Sequence, residues 1–249
     1  MIKFHMKILL APAETKREGG TLPPYCKHNF FFKEFEPVRN EIVFQYEEFL
    51  KTSSLEELSS WFGLKSFKEC EKYFQPIVEK PTMKAIQRYT GVAFDALDYD
   101  NLIPIEQQYC DENVILFSNL FGPLKADDLI PDYKFKQGEN LPNIDVINKY
   151  KIAIKDTLDI YLGDEVIDLR AGFYDKFYKP KAQTVTFKFL KDGKVVSHWA
   201  KHYRGQIVKE LAKHNIKNFE ELMKLEIEGL KLVEIQEKKN IKTLIMDIV

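Results

Sequence analysis

Apolar positions along the chain are spaced as in helices in some segments and as in strands in others. Intervals of three or four predict a helix over residues 30–51, and alternation on both sides of Asp192-Gly193 predicts a β-hairpin. Residues 230–235 and 243–248 predict a second hairpin, and residues 7–10 a buried strand that Pro12 ends. We expect a mixed α+β fold, a compact sheet with antiparallel hairpins surrounded by helices.

Capping motifs and glycines mark further helix ends. Residues 54–57 and 66–69 each fit a capping box that opens a short helix. Residues 81–89 predict a helix that stops at Gly91, and the apolar pattern resumes at 92–97, which gives a helix-hairpin-helix-like element near 81–98. Residues 144–162 predict one long amphipathic helix closed by Gly163.

The remaining segments complete a chain without linkers or repeats. Residues 114–117 and 166–169 predict strands, and 118–128 a loop rich in turn formers. Residues 202–214 predict a helix, and Asn218 is placed to cap another. We therefore expect a single domain over residues 1–249, mainly helical at about 30–110 and mixed afterwards.

Charge is distributed unevenly. The 249 residues include 37 basic and 38 acidic ones, a net charge of −1, which excludes a uniformly basic nucleic-acid or membrane binder. Residues 171–217 nevertheless carry eleven basic and three acidic residues, a local charge of +8. Such a block can attract a polyanion, or it can be an ordinary solvated lysine-rich face.

Cysteine usage and hydropathy indicate a cytoplasmic protein. Cys26, Cys70 and Cys110 are widely spaced and form no C-x-x-C pair, as expected of reduced thiols. No uninterrupted apolar stretch approaches the roughly 18 residues that a membrane span needs. We expect a soluble protein without membrane contact.

Familiar catalytic and metal motifs are absent from the sequence. It contains no P-loop, no dinucleotide-binding G-x-G-x-x-G and no G-x-S-x-G. His198 and His202 are four apart, but we expect His198 at a strand end and His202 at a helix start, so we predict neither metal nor cofactor. Asp127-Asp128 is interpreted as an exposed turn rather than an acid pair.

Basic residues alternate with aromatic ones in a pattern typical of nucleotide or nucleic-acid sites, where cations neutralise phosphates and rings stack on bases. The basic members are Lys125, Lys134, Lys136, Lys176, Lys179, Lys181, Lys201 and Arg204, and the aromatic ones are Tyr133, Tyr174, Tyr178, Trp199 and Tyr203. The alternative is that about half of these rings belong to the core.

Four ordered stretches resemble the YaaA family of peroxide-stress proteins. They are KILLAPAETK at 7–16, YTGVAFDAL at 89–97, FSNLFGPLKADDL at 117–129 with YKFKQG at 133–138, and YDKFYKPK at 174–181 with SHWAKHYRG at 197–205. The similarity runs from Met6 nearly to the C-terminus. Together the four stretches are more specific than any one of them.

The resemblance implies a DNA-binding protein that limits iron-dependent DNA damage by peroxide, through a basic cleft and a helix-hairpin-helix-like turn. Carried over to this sequence, the phosphate-binding residues are Lys125, Lys134, Lys179, Lys181, Lys201, Arg204 and Gly91. Contacts of this kind go to the backbone, so we expect DNA binding that is largely independent of base sequence.

Several positions depart from the family pattern. Lys134 and Lys136 replace an Arg and a Glu, and Lys125-Ala126 replaces Arg-Pro. Ala96 replaces a glycine of the family's hairpin pattern, and Phe173 replaces an acidic residue. Lysine keeps the charge but loses the bidentate geometry of arginine, so charge-driven binding is expected to persist.

Two other functions fit the same residues. The first is an enzyme acting on a nucleotide or another phosphorylated small molecule, in which Lys181 or Lys201 has a depressed pKa, with Ser118 and Ser197 close to the pocket. The second is an interaction module whose basic face binds an acidic protein. An open groove favours DNA, whereas a closed pocket favours the enzyme.

Overall fold

The structure, a computed structural model, describes residues 6–249 apart from the side chain of Phe67. The strands are β1 Lys7–Leu10, β2 Leu22–Pro24, β3 Pro81–Lys84, β4 Val114–Ser118, β5 Gly122–Lys125, β6 Leu129–Pro131, β7 Glu165–Leu169, β8 Gln183–Lys191, β9 Lys194–Val195, β10 Leu230–Lys238 and β11 Ile241–Ile248. The first five residues of the predicted domain, His5 included, lie outside the described residues.

The helices are distributed along the same range. They are α1 Glu36–Thr52, α2 Leu55–Phe62, α3 Phe67–Glu71, α4 Ala85–Arg88, α5 Val92–Leu97, α6 Pro104–Asn113, α7 Val146–Ile154, α8 Thr157–Leu162, α9 His198–Lys213 and α10 Phe219–Leu222. The predicted α+β class is confirmed. Among the described residues, no helix is both long and apolar enough to cross a membrane.

The chain forms two compact units, each assembled from distant segments. Among the described residues, unit 1 comprises 6–11, 91–115 and 156–249, and unit 2 comprises 12–90 and 116–155. The prediction of a single domain over 1–249 stays a prediction. The predicted helical part at 30–110 contains α1 to α6, together with one strand, β3.

Unit 1 contains a mixed sheet with the strand order β10-β11-β8-β7-β1. Strands β1, β7, β8 and β11 are parallel neighbours, and β10 is antiparallel to β11. Both predicted hairpins are present, and Asp192 and Gly193 take the positive φ angles, 51° and 70°, that a tight two-residue turn requires. The buried residues of these two strands are Ile8, Leu9 and Leu10 in β1 and Val166, Ile167 and Leu169 in β7, as expected of parallel strands covered on both faces.

Helix α9 packs against α5 within unit 1 at unusually short range. A Cβ built on Gly205 of α9 would lie 1.8 Å from the carbonyl oxygen of Ala93 in α5. Glycine at 205 therefore lets the two helix backbones approach each other. The apolar face of α9, which includes Ile207, Val208 and Leu211, is fully buried.

Unit 2 combines a three-stranded antiparallel sheet, β2-β3-β6, with helices α1 to α4 and α7. Its core holds two buried arginines. Arg39 of α1 donates to the carbonyl oxygens of Phe121 and Phe32. Arg88 of α4 donates to those of Ile130, Pro81 and Arg17, so both guanidinium groups tie separate backbone segments together.

Two predicted helices differ in their bounds, since α1 begins at Glu36 rather than at 30 and α9 at His198 rather than at 202, and three further predicted elements differ in type or number. Residues 81–84 form β3 instead of a helix because Thr82, Met83 and Lys84 pair with β6, and a leading proline suits a strand start as well as a helix start. The predicted loop 118–128 contains β5. The predicted helix 144–162 is two helices, α7 and α8, because the unit boundary falls between Lys155 and Asp156.

Both capping-box predictions are tested by the structure. At Ser54 and Glu57 the reciprocal hydrogen bonds form and α2 follows. At Ser66 the helix begins as predicted, but the serine side chain makes no capping bond. Asn218 caps α10 as expected by accepting from the amide of Glu221.

Candidate functional site

The predicted phosphate-binding residues are divided between the two units. Unit 2 contains Lys125 and Lys134, and unit 1 contains Lys179, Lys181, Lys201, Arg204 and Gly91. Within unit 1, Lys201 and Arg204 share α9, while Lys179 and Lys181 lie in the segment before β8. Gly91, at a φ of 100°, is the N-cap residue that precedes α5.

The predicted helix-hairpin-helix has short helices on both sides of residues 89–91. Helix α4 spans only Ala85–Arg88, and the unit boundary falls between Thr90 and Gly91. A helix-hairpin-helix at 81–98 therefore stays a prediction.

Two of the predicted lysines are already paired with carboxylates. Lys181 Nζ lies 2.7 Å from Asp159 Oδ2 and 3.5 Å from Asp156 Oδ1, and these acids raise the pKa of Lys181. The hypothesis of a depressed pKa at Lys181 is therefore wrong. Lys125 Nζ lies 3.4 Å from Asp127, and its side chain is largely buried.

Arg204 and Lys134 are only partly accessible. Burial lowers the pKa of the Arg204 guanidinium, and the facing carboxylate of Asp168 partly offsets that effect. Lys134 is half-buried, and its backbone carbonyl accepts a hydrogen bond from Tyr46. The half-buried Arg204 is therefore less accessible to a phosphate than an exposed lysine would be.

Most of the aromatic residues in the predicted pattern belong to the core. Tyr133, Tyr174, Tyr178 and Tyr203 are buried, whereas Trp199 is 44% exposed. Four of the five rings are thus unavailable to stack on bases, more than the half expected from sequence. Trp199 is the member of this set that can receive a base.

An exposed basic surface forms where the β8–β9 hairpin meets the first turn of α9. We define the basic end of α9 as Lys191, Lys194, Trp199 and Lys201, all of them exposed. Lys191 pairs with Lys194 across the hairpin, and its Nζ lies 5.0 Å from the centre of the Trp199 ring. The first turn of α9 has no acidic residue, and Ser197 provides no side-chain cap. The helix dipole therefore adds to the positive potential.

The histidine pair differs from its predicted placement. His198 and His202 both lie on α9, because the helix starts four residues earlier than expected and β9 is only two residues long. Within residues 6–249, no group of three or more histidine, cysteine or acidic side chains is arranged to hold a metal ion.

Asp128 closes the predicted turn but is buried rather than exposed. Its two carboxylate oxygens accept hydrogen bonds from the backbone amides of Phe31 and Lys125, at 2.7 and 2.8 Å. Burial raises the pKa of Asp128 to about 6, although these two hydrogen bonds and Arg39 oppose the shift. The side chain holds two backbone segments of unit 2 together.

This raised pKa predicts a pH-dependent stability. Folded protein binds the Asp128 proton at a higher pH than unfolded protein, so acidification from pH 7 to 4.5 stabilises the native state by about 2 kcal/mol through this group. We expect the free energy of unfolding of the wild type to rise by this amount relative to Asp128→Asn over that range. Parallel pH profiles in denaturant titrations would contradict the assignment.

A further cluster in unit 2 was missed by the sequence analysis as a site. Lys16 Nζ lies 4.1 Å from the centre of the Tyr133 ring and 5.4 Å from that of Tyr89. The Tyr133 hydroxyl is 2.8 Å from that of Tyr89 and 2.7 Å from Ser118 Oγ. All four residues fall in the stretches that carry the family resemblance, which was the available signal, but their sequence separation conceals their proximity.

Comparison with known proteins decides the family. A family model described as peroxide stress protein YaaA matches residues 6–236. The chain belongs to the YaaA family. This confirms the resemblance found in the sequence and supports a role in peroxide stress.

Three related proteins align with most of this chain. An uncharacterized protein of Campylobacter jejuni subsp. jejuni is 44% identical over 244 residues, 98% of this chain and 99% of the relative. A UPF0246 protein of Corynebacterium efficiens is 34% identical, with 83% and 85% covered. Another from Corynebacterium glutamicum is 32% identical, with 97% and 100% covered.

Proposed function

We propose that this YaaA-family protein is a cytoplasmic DNA-binding protein of the peroxide stress response. In this proposal the basic end of α9 binds the phosphate backbone and limits iron-dependent damage to the DNA it covers. The observation that carries the proposal is the exposed cluster of Lys191, Lys194 and Lys201 around Trp199.

Local charge favours this surface over two of the predicted phosphate-binding residues, Lys125 and Lys181. Lys191, Lys194 and Lys201 form no ion pair with any carboxylate within the described residues, whereas Lys181 and Lys125 do. When unpaired lysines bind DNA phosphates, they displace the counterions condensed on the DNA. The release of these ions favours binding and makes the affinity sensitive to salt. Trp199 adds an exposed ring that can stack on an unpaired base.

The test is a salt series of DNA affinity. We expect wild-type binding to duplex DNA to weaken steeply between about 50 and 200 mM salt. The triple variant combines Lys191→Gln, Lys194→Gln and Lys201→Gln. Because it loses three phosphate contacts, the slope of log affinity against log salt should fall by about 2–3. Fluorescence anisotropy with labelled duplex and single-stranded DNA measures both quantities.

The matched control removes three lysines that are already paired. Lys149, Lys213 and Lys224 contact Glu41, Glu210 and Glu220 respectively. Replacing them by glutamine changes the net charge by the same amount, so a general charge effect would weaken both variants equally. Equal slopes for the two variants, or binding unchanged by either, would overturn the proposed surface.

A further inference from the structure

Strand β10 forms the outer edge of the mixed sheet in unit 1. One side of it pairs with β11, and among the described residues no strand pairs with its other side. Every residue from Lys231 to Lys238 is exposed, and the apolar side chains of Val233 and Ile235 are 51% and 41% exposed. A long edge strand with exposed apolar side chains is a surface to which a further strand can be added.

The turn between β10 and β11 shows which backbone groups of β10 point outward. The turn contains only two residues, so Lys238 and Ile241 exchange both hydrogen bonds of their pair. Hydrogen-bonded and non-hydrogen-bonded pairs alternate along an antiparallel ladder. The backbone N–H and C=O groups of Glu237 and Ile235 therefore point away from β11. Within the described part of the chain these groups have no hydrogen-bond partner, so they are available to a second strand.

A β-bulge limits the part of this edge that can pair regularly. The register between β10 and β11 shifts between Leu232 and Glu234, which makes Val233 the extra residue of the bulge. Bulges twist an edge strand and oppose pairing along its whole length. The regular segment is therefore residues 234–238, with the sequence Glu-Ile-Gln-Glu-Lys. We call this segment the β10 edge.

Two copies of the β10 edge can pair in three antiparallel registers. Hydrogen bonding requires outward-pointing residues to face each other, so a two-fold axis passes through Ile235, Gln236 or Glu237. An axis through Ile235 places Glu234 opposite Gln236. An axis through Glu237 places two carboxylates opposite each other. An axis through Gln236 instead places Glu234 opposite Lys238 twice, so charge favours this register.

The favoured register pairs charges that are free within one chain. Neither Glu234 nor Lys238 forms an ion pair with another described residue, and Glu234 only accepts a hydrogen bond from Gln236. Directly opposed residues of adjacent strands have their Cβ atoms about 5 Å apart, close enough for a carboxylate and an amine to meet. On the opposite face of the sheet, the two Ile235 side chains lie diagonally across the axis, where apolar side chains can touch.

We propose that the β10 edge docks a second copy of this chain, in an antiparallel pair centred on Gln236. Ile235 of each chain exchanges both backbone hydrogen bonds with the partner's Glu237, which joins the two mixed sheets. Each Glu234 faces the partner's Lys238. The interface is the same patch on both chains, so it occupies the free β10 edge of each and association stops at two chains.

The short length of the β10 edge predicts a dimer that dissociates on dilution. Five residues from each chain bury much less than the roughly 1,200–2,000 Å² of a stable interface. We therefore expect monomers at about 1 µM and dimers, at twice the 29.3 kDa of one chain, at about 300 µM. Sedimentation velocity across this range measures the fraction of dimer. A wild-type protein that stays monomeric at the highest concentration would overturn the proposal.

Charge reversal tests the register. Glu234→Lys places a lysine opposite Lys238, and Lys238→Glu places a glutamate opposite Glu234. Each variant alone should raise the dissociation constant of the dimer by about 10- to 100-fold, because two attractive pairs become repulsive. An equimolar mixture of the two variants restores both opposite-charge pairs and should associate as strongly as the wild type. The double variant Glu234→Lys/Lys238→Glu should do the same.

The matched control is Lys188→Glu. Lys188 is exposed on β8, which β11 separates from β10, and its reversal changes the net charge by the same amount as Lys238→Glu. This variant should dimerise like the wild type. If neither single reversal at the β10 edge weakens the dimer, or if the mixture of the two fails to associate, the proposed pairing is wrong.

The β10 edge and the proposed DNA surface share no residue, so the two proposals fail separately. The double variant Glu234→Lys/Lys238→Glu keeps the net charge and the basic end of α9, so it should keep the salt slope of DNA affinity. A monomeric wild type with a steep salt slope refutes the dimer alone. A dimer whose DNA affinity does not depend on salt refutes the DNA surface alone.

Discussion

Replacing Arg88 by methionine is expected to lower the free energy of unfolding by about 4 kcal/mol. The guanidinium is completely buried and donates to three backbone carbonyls, those of Ile130, Pro81 and Arg17. Methionine fills much of the volume but leaves these acceptors without a donor and without water. The loss exceeds that of a typical point mutation because several buried acceptors are affected at once.

The measurement uses the position of the two tryptophans. Trp61 lies in unit 2 and Trp199 in unit 1, so Trp199→Phe leaves a fluorescence signal from the unit that contains Arg88. Arg88→Lys is the matched variant: it keeps the charge but not the fork of donors, and it should show an intermediate loss. Similar denaturation midpoints for all three proteins would show that the carbonyl contacts contribute little.

Substituting Gly205 by alanine is expected to destabilise unit 1 by about 3 kcal/mol or more. The added Cβ would lie 1.8 Å from the Ala93 carbonyl oxygen and 2.7 Å from its carbon, both backbone atoms that cannot move without shifting α5. Overpacking against backbone forces the two helices apart and removes contacts along their interface.

The control for this substitution is Gly172→Ala. Apart from residue 172 and its two chain neighbours, no heavy atom lies within 4 Å of a Cβ at this position, so the same change of residue type should be nearly neutral there. With Trp61→Phe as background, Trp199 fluorescence follows unit 1 in denaturant. The steric explanation is refuted if Gly205→Ala and Gly172→Ala unfold at the same denaturant concentration.

Local chemistry made several elements predictable. The Asp192-Gly193 hairpin, the capping box at Ser54 and the cap at Asn218 each depend on neighbouring residues, and each is present. The helix prediction for residues 81–84 was wrong because these residues form a strand that is defined by pairing with β6, almost fifty positions away. The helix predicted over 144–162 failed at a unit boundary that amphipathic spacing does not reveal.

The predicted site depended even more on distant contacts. A lysine-rich segment shows where charge is concentrated, but not that Asp159 neutralises Lys181 or that Tyr174 and Tyr203 lie in the core. The alternation of basic and aromatic residues therefore overstated the rings available to a nucleic acid. Conversely, Lys16 and Tyr133 are 117 positions apart in sequence, and only the fold shows them in contact.

The interleaved course of the chain has a consequence for its synthesis. Unit 2 ends at residue 155, so all of its segments are available before the last third of the protein has left the ribosome. Strand β1 is made at the start, but its pairing with β7, Leu9 opposite Asp168, must wait until residues 165–169 have been made. Unit 2 can fold during translation, whereas the sheet of unit 1 forms late and is the part most exposed to aggregation in a truncated or stalled chain.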